Sequence, residues 1–207
     1  MMLWLRYASA ALLFLLLGSC ASINAPPGPS NPDFNVHQQA VLAHPQWRLE
    51  GRLNVRQAKQ SDTVTLSWQQ QDENFDILLR GTLGLGSTRV HGSDAGLQVE
   101  KAGDPPIALP NLQALTRDYL NFEFPAANLL YWVRGLPVPG VQAMTEFDSN
   151  NLLTTLSQRD TNGRLWQLTF DRYETVEMLP LPGRIRLSAD DLQLTFLVSD
   201  WTLGGTP

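Results

Sequence analysis

One thiol, three imidazoles and a few hydroxyls and carboxylates are the side chains of this 207-residue sequence that could do covalent or acid–base chemistry. The thiol is Cys20, the only cysteine, so it has no second sulfur with which to close a disulfide or hold a metal. His37, His44 and His91 form no His-Glu-x-x-His pair and read as satisfied or exposed histidines. Ser67, Ser87 and Ser93 lack the Gly-x-Ser-x-Gly setting of an activated nucleophile, and Asp190-Asp191 reads as a turn rather than an acid/base pair. The stretch Gly81 to Ser87, Gly-Thr-Leu-Gly-Leu-Gly-Ser, is rich in glycine but lies between two predicted strands, whereas a phosphate loop opens a helix. The sequence therefore predicts no enzyme, no metal and no cofactor, and leaves the thiol as the group whose fate needs explaining.

The residues before it supply that fate. A positive region ending at Arg6 precedes an apolar run from Ala8 to Leu17 and the small residues Gly18 and Ser19. That order predicts a secretory signal, too short to span a bilayer. Residues 21–33, with Pro26, Pro27, Gly28, Pro29 and Pro32, cannot continue it as a helix. Leu17-Gly18-Ser19-Cys20 resembles the bacterial lipobox, which implies cleavage before Cys20 and covalent S-diacylglycerol and N-acyl groups on it. The other reading is an exported protein with a chance cysteine, an unpaired thiol in an oxidising compartment. Ala21 stands where an aspartate would resemble an inner-membrane retention signal, so the expected address is the outer membrane, lipid-anchored and facing the periplasm. The expected organisation is a signal peptide at 1–19, a lipidated flexible tether at 20–33 and a single domain at 34–207.

Fifteen basic residues less Arg6 leave 14 against 20 acidic ones, a net of −6 for the mature chain. Nucleic-acid binding needs clustered Lys and Arg and is not expected. Residues 35 to 43 predict a short helix opened by Asn35. Strict alternation then puts Trp47, Leu49, Gly51, Leu53 and Val55 on one face of a strand with Arg48, Glu50, Arg52 and Asn54 on the other. The pattern recurs at Val64-Leu66-Trp68 and Phe75-Ile77-Leu79, read as a hairpin, and in short strands at 88–92 and 96–101. Mid-chain the period becomes helical, at Leu112, Leu115, Tyr119 and Leu120 and then at Leu129, Leu130, Trp132 and Val133. Strands resume at 152–157, 166–170, 183–187 and 192–198, the last two as a hairpin.

Eight or so half-buried strands with two mid-chain helices predict a mostly β fold, a large curved antiparallel sheet whose concave side the helices cap. Two short helices can leave part of that apolar face as a cavity. Trp47, Trp68, Trp132, Trp166 and Trp201 read as core, and a lipid pocket would use the same face. Its candidate lining is Trp68, Phe75, Ile77, Leu79, Trp132 and Trp166. Leu83 and Leu85, set among Gly81, Gly84 and Gly86, have two readings. Either they fill the core from a bulged strand, or they are exposed and each contributes roughly 1.5–3 kcal/mol on entering lipid. Arg134 and Arg164, near predicted element ends, read as solvated charge, with partner docking as the other use.

Taken in order, Cys20, the strand Trp47-Arg-Leu-Glu-Gly-Arg-Leu-Asn-Val55, the hairpin from Leu66-Ser-Trp68 to Leu78-Leu79, Leu83-Gly-Leu85-Gly-Ser87, Tyr131-Trp-Val-Arg-Gly-Leu-Pro137 and the later strands with Trp166 and Trp201 resemble the LolB family. The likeness covers nearly the whole chain. It implies an open, incomplete β-barrel with helices as a lid over an apolar cavity. It also implies a monomeric outer-membrane lipoprotein receptor that takes acylated lipoproteins from the periplasmic carrier LolA and inserts them into outer-membrane lipid. In the family a leucine on a protruding loop promotes insertion, and Leu85-Gly86-Ser87 matches that motif. Gly84 replaces the family's proline before it, and Leu83 lies two residues earlier. The alternative is an outer-membrane lipoprotein of the same type that binds another amphiphile or serves structurally.

Overall fold

The alternation that begins at Trp47 becomes the central strand of the protein. In the computed structural model, which describes residues 32–58, 60–81, 86–119 and 124–204, strand β1 spans Gln46–Gln57. It pairs on one side with β2, Gln60–Gln71, and on the other with β11, Leu192–Leu203. The remaining strands are β3 (Asn74–Gly81), β4 (Ser87–Ser93), β5 (Gly96–Lys101), β6 (Ile107–Leu109), β7 (Ala143–Phe147), β8 (Leu153–Arg159), β9 (Leu165–Val176) and β10 (Leu179–Ala189). One antiparallel sheet holds them in the order β6-β5-β4-β3-β2-β1-β11-β10-β9-β8-β7. The edges, β6 and β7, do not pair, so the barrel stays open as expected. These edge strands are the two that alternation did not reveal, because three and five residues carry too little of a period-2 pattern.

The first helix, α1, spans Pro32–Leu42 and starts three residues before the predicted Asn35. Proline has no N–H to lose in a first turn and its φ is already helical, so the same residue that ends an extended segment can open a helix. Phe34 and Val41 bury one side of α1, with the Phe34 ring 4.9 Å from that of Phe147.

The mid-chain segment is less regular than its periodicity suggests. Helix α2, Leu112–Ala114, is capped by Asn111, whose Oδ1 accepts from the Ala114 N–H at 2.9 Å, and it runs on as a π-helical turn over Leu115–Tyr119. A 3-10 turn at Ala126–Asn128 then leads into helix α3, Leu129–Trp132. Gly135 ends it with φ +74, a left-handed value natural to glycine, and a Cβ there would lie 2.9 Å from the Tyr173 hydroxyl.

Gly51 marks the one place where β1 and β11 depart from even register. Its Cβ position would fall 2.2 Å from the Leu197 carbonyl oxygen, beside a bulge between Glu50 and Gly51. The missing side chain lets β11 come this close and bend, and bending is what turns a wide sheet toward a barrel.

Candidate functional site

The inward face of the sheet divides into a filled half and a hollow half. On the hollow side Leu53, Val55, Val64, Leu66, Trp68, Phe75, Ile77, Leu79 and Val90 project from β1 to β4, and Leu194 and Phe196 from β11. The lid supplies Leu112, Leu115 and Thr116 from α2 and its π turn, then Phe124, Ala126, Leu129 and Leu130. Together they enclose a cavity of about 250 Å³. Thr88 and Thr116 are its only polar lining residues among those described, and the Thr116 hydroxyl donates to the Gln113 carbonyl at 3.1 Å. A lining so poor in hydrogen-bonding groups suits hydrocarbon better than ordered water.

Of the six side chains expected to line such a pocket, Trp68, Phe75, Ile77 and Leu79 meet here. Trp132 and Trp166 do not. Both are fully buried in the other half, with ring centroids 5.9 Å apart, because each indole N–H has a fixed polar partner there. Trp132 Nε1 donates to Gln158 Oε1 at 3.1 Å and Trp166 Nε1 to Asp160 Oδ2 at 3.0 Å. Trp166 reaches the cavity only indirectly, through the Phe124 ring 5.3 Å away. Trp47 and Trp201 stack beside Trp68 at the start of β1, 5.0 and 5.6 Å from one another along the series.

Two polar residues hold the lid in place, and neither was singled out for it by the sequence. Gln158, 1% exposed, accepts from Trp132 Nε1 and the Val138 N–H and donates to the carbonyls of Val138 and Val141, fastening the chain after α3 to β8. Its position in phase with Leu156 was the available signal, a polar residue where alternation calls for an apolar one. Arg134, read as solvated, is instead 7% exposed. Its Nε donates to the Leu130 carbonyl at 2.8 Å, its Nη1 reaches the carbonyls of Val41 and His44 at 3.5 Å, and its guanidinium lies 5.6 Å from the Trp47 ring centre. Burial pulls the guanidinium down to about 10, which leaves it charged at neutral pH. The end of α1 and the root of α3 are thus tied together by one cation over an indole. Arg164 faces Asp190 at 2.8 Å and stacks on Trp166 at 5.1 Å.

Among the described residues the cavity lining contains no ionisable side chain, and no group of three or more His, Cys, Asp or Glu could hold a metal. Cys20, Leu83 and Leu85 lie outside the described residues. The ends of their connecting strands are placed: β3 ends at Gly81, whose N–H donates to the Gly86 carbonyl at 3.0 Å, and β4 begins at Ser87.

The family described as outer membrane lipoprotein LolB matches residues 45–201. The chain is 34% identical over 201 residues to the outer-membrane lipoprotein LolB of Stutzerimonas stutzeri (strain A1501), covering 95% of each. To that of Cellvibrio japonicus (strain Ueda107) it is 33% identical over 207 residues, covering 96% of this chain and 98% of the relative. Among solved structures, a DUF1329 family protein from Desulfovibrio piger shares the fold with a TM-score of 0.55 at 11% identity, over 83% of this chain and 90% of that one. A LolA superfamily protein from Nitrosomonas europaea does so with 0.50 at 14%, over 82% and 94%.

Proposed function

This chain belongs to the LolB family of outer membrane lipoproteins, and from that premise we propose that it is a lipoprotein receptor, accepting acyl chains from the carrier LolA and releasing them into the outer membrane. The observation that carries this reading is the dry cavity beneath the lid. A triacylated cysteine left in water forfeits about 0.8 kcal/mol for each methylene it cannot bury, so its chains have to pass from one apolar enclosure to the next. Nothing in that passage needs a bond made or broken. Differential affinity suffices, the receptor holding the chains more tightly than the carrier and the bilayer more tightly still.

Size adds a requirement. A space of about 250 Å³ falls below the ~300–1,000 Å³ of ordinary ligand pockets, so acyl chains enter only as α2 and α3 move away from the sheet. Short helices joined by π and 3-10 turns are suited to this, since their packing against the strands supplies most of what holds them. Cys20 as the lipid attachment and Leu85, with Leu83 beside it, as the inserting residue belong to the same proposal.

The core residues among those described lie between Phe34 and Leu203, so a chain beginning at Ala21 keeps them all. Mixed with LolA carrying a labelled lipoprotein, that soluble chain is expected to take up the cargo. Cargo that stays on LolA refutes the receptor reading and leaves an open-barrel protein for another amphiphile. Leu85→Glu is expected to accept cargo normally and to fail in delivering it to liposomes, and normal delivery would clear Leu85 of the role.

A further inference from the structure

The outer face of the sheet, opposite the cavity, is polarised along its strands. One row crosses five of them through aligned partners: Arg184 on β10, Leu197 on β11, Arg52 on β1, Thr65 on β2 and Arg80 on β3. The next row toward the β1–β2 turn places Arg186 beside Thr195, Asn54 and Thr63, and the last places Arg56 between Gln193 and Ser61. Five arginines therefore share this end of the outer face with Asp171, which Arg184 and Arg186 already occupy at 2.6 and 3.2 Å, while Asp62 on β2 and the β10–β11 turn residues Asp190 and Asp191 border it, Asp190 being held by Arg164. Arg52, Arg56 and Arg80 are exposed and have no ion-pair partner among the described residues. The opposite end of the same face carries Glu50, Asp76, Glu100 and Asp200 together with Arg48, Arg89 and His91, and there Arg89 holds Asp76 while Arg89 and His91 both face Glu100, at 3.9 and 3.3 Å. A chain with a net charge of −5 has thus gathered unpaired arginines at one end of one face.

We infer that this arginine-bearing end is a contact surface for anionic phospholipid headgroups. Two features favour lipid over an acidic protein. Leu197, 38% exposed, sits in the middle of the arginine row, giving the mixture of guanidinium and hydrocarbon that suits a headgroup boundary. Arg80 also immediately precedes Gly81, where β3 ends, so the segment carrying Leu83 and Leu85 departs from this end of the sheet. Basic side chains at a membrane surface are each worth about a fivefold change in binding, enough to orient a domain and too weak to hold it. The inference rests on the proposed delivery to membrane in naming the surface, but cargo uptake in solution does not depend on it.

The test is flotation of the chain beginning at Ala21 with vesicles of phosphatidylethanolamine containing about a quarter phosphatidylglycerol, against phosphatidylcholine vesicles. The wild type should bind the anionic vesicles, lose that binding as salt rises from about 50 to about 300 mM, and bind phosphatidylcholine weakly. The triple change Arg52→Gln, Arg56→Gln, Arg80→Gln should lower anionic-vesicle binding at least tenfold with an unaltered melting curve. Equal binding by the triple variant, or salt-independent binding by the wild type, overturns the inference, and the salt series decides it even if the variant folds poorly. A triple variant that binds vesicles normally but no longer takes cargo from LolA would reassign the face to the carrier. Vesicle binding without cargo uptake by the wild type would instead sink the receptor reading and leave this inference standing.

Discussion

The side-chain amide of Gln158 uses its full hydrogen-bonding capacity in a dry setting, and the lid's exit segment hangs from it. Gln158→Leu has the right size and the wrong chemistry. It would strand the Trp132 indole N–H and both backbone groups of Val138, and buried unsatisfied groups cost ~1–3 kcal/mol each. We expect a loss of about 3 kcal/mol or more in urea denaturation, with a smaller loss for Gln158→Glu only where its carboxyl is protonated. Gly51→Ala should be as damaging for a steric reason, because its Cβ would meet the Leu197 carbonyl at 2.2 Å and neither backbone can yield without breaking the bulge. A melting-temperature drop equivalent to about 2 kcal/mol or more is the expected result, and a neutral substitution would show that the close approach is dispensable. At this scale the sequence was only partly legible. Gly51 and Gln158 both stand in apolar phase, but whether a glycine there is a gap or a contact, and what a buried amide bonds to, depend on strands far away in sequence.

Among the elements, α1 carries a pH dependence. Burial lowers the His37 imidazole below its usual 6.5, so the folded chain prefers it neutral. In the unfolded chain it takes up a proton as pH falls through 6.5, and the folded state follows only at lower pH. The contribution of a neutral His37 is therefore complete above 6.5 and is lost as pH falls through its lowered folded value. Urea midpoints should decline between about pH 7.5 and pH 5, and His37→Gln should flatten that decline. Asp171 adds to the loss at still lower pH. Burial raises its carboxyl, but Arg184 and Arg186 outweigh that and hold it below the usual range, so its support fails only as pH drops below 3.8. The nine strands with clear alternation were readable because each has one wet and one dry face. The lid was readable as helical in period but not in form, since α, π and 3-10 turns present nearly the same apolar spacing and differ in what the strands beneath them accept.

For the molecule as a whole, the division into a packed half and a hollow half is what distinguishes this sheet from an ordinary core. It was also the least legible feature. Trp132 and Trp166 obey the same periodicity as Trp68 and Phe75, and only the lid's placement decides which pair faces empty space. The division predicts opposite responses to added bulk. Thr88→Phe would extend into the cavity and should change stability by no more than about 1 kcal/mol, while reducing uptake of a fluorescent fatty acid severalfold. Leu156→Phe, in the filled half and fully buried, should cost about 1–3 kcal/mol from overpacking. Equal stability losses from both would mean that the space beneath the lid is not available.

The two ends of the sheet also fix how far the protein can lean. Asp33, at the start of α1, accepts a hydrogen bond from Asn151 in the turn between β7 and β8, at the end of the sheet opposite the connection from Gly81 to Ser87. Those ends are separated by the length of β1, twelve residues at about 3.3 Å each, or roughly 40 Å. If Cys20 carries the lipid proposed above, the stretch from it to Pro32 has almost the same full reach, since an extended chain spans at most ~3.3–3.6 Å per residue. On that proposal the length from Cys20 to Pro32 is just enough for the far end of the sheet to meet the same leaflet as the lipid. Shortening residues 21–31 by half should therefore leave cargo uptake in solution unchanged and impair delivery by the full-length chain to the membrane that the proposed lipid on Cys20 would enter, a geometric limit that no change in affinity would relieve.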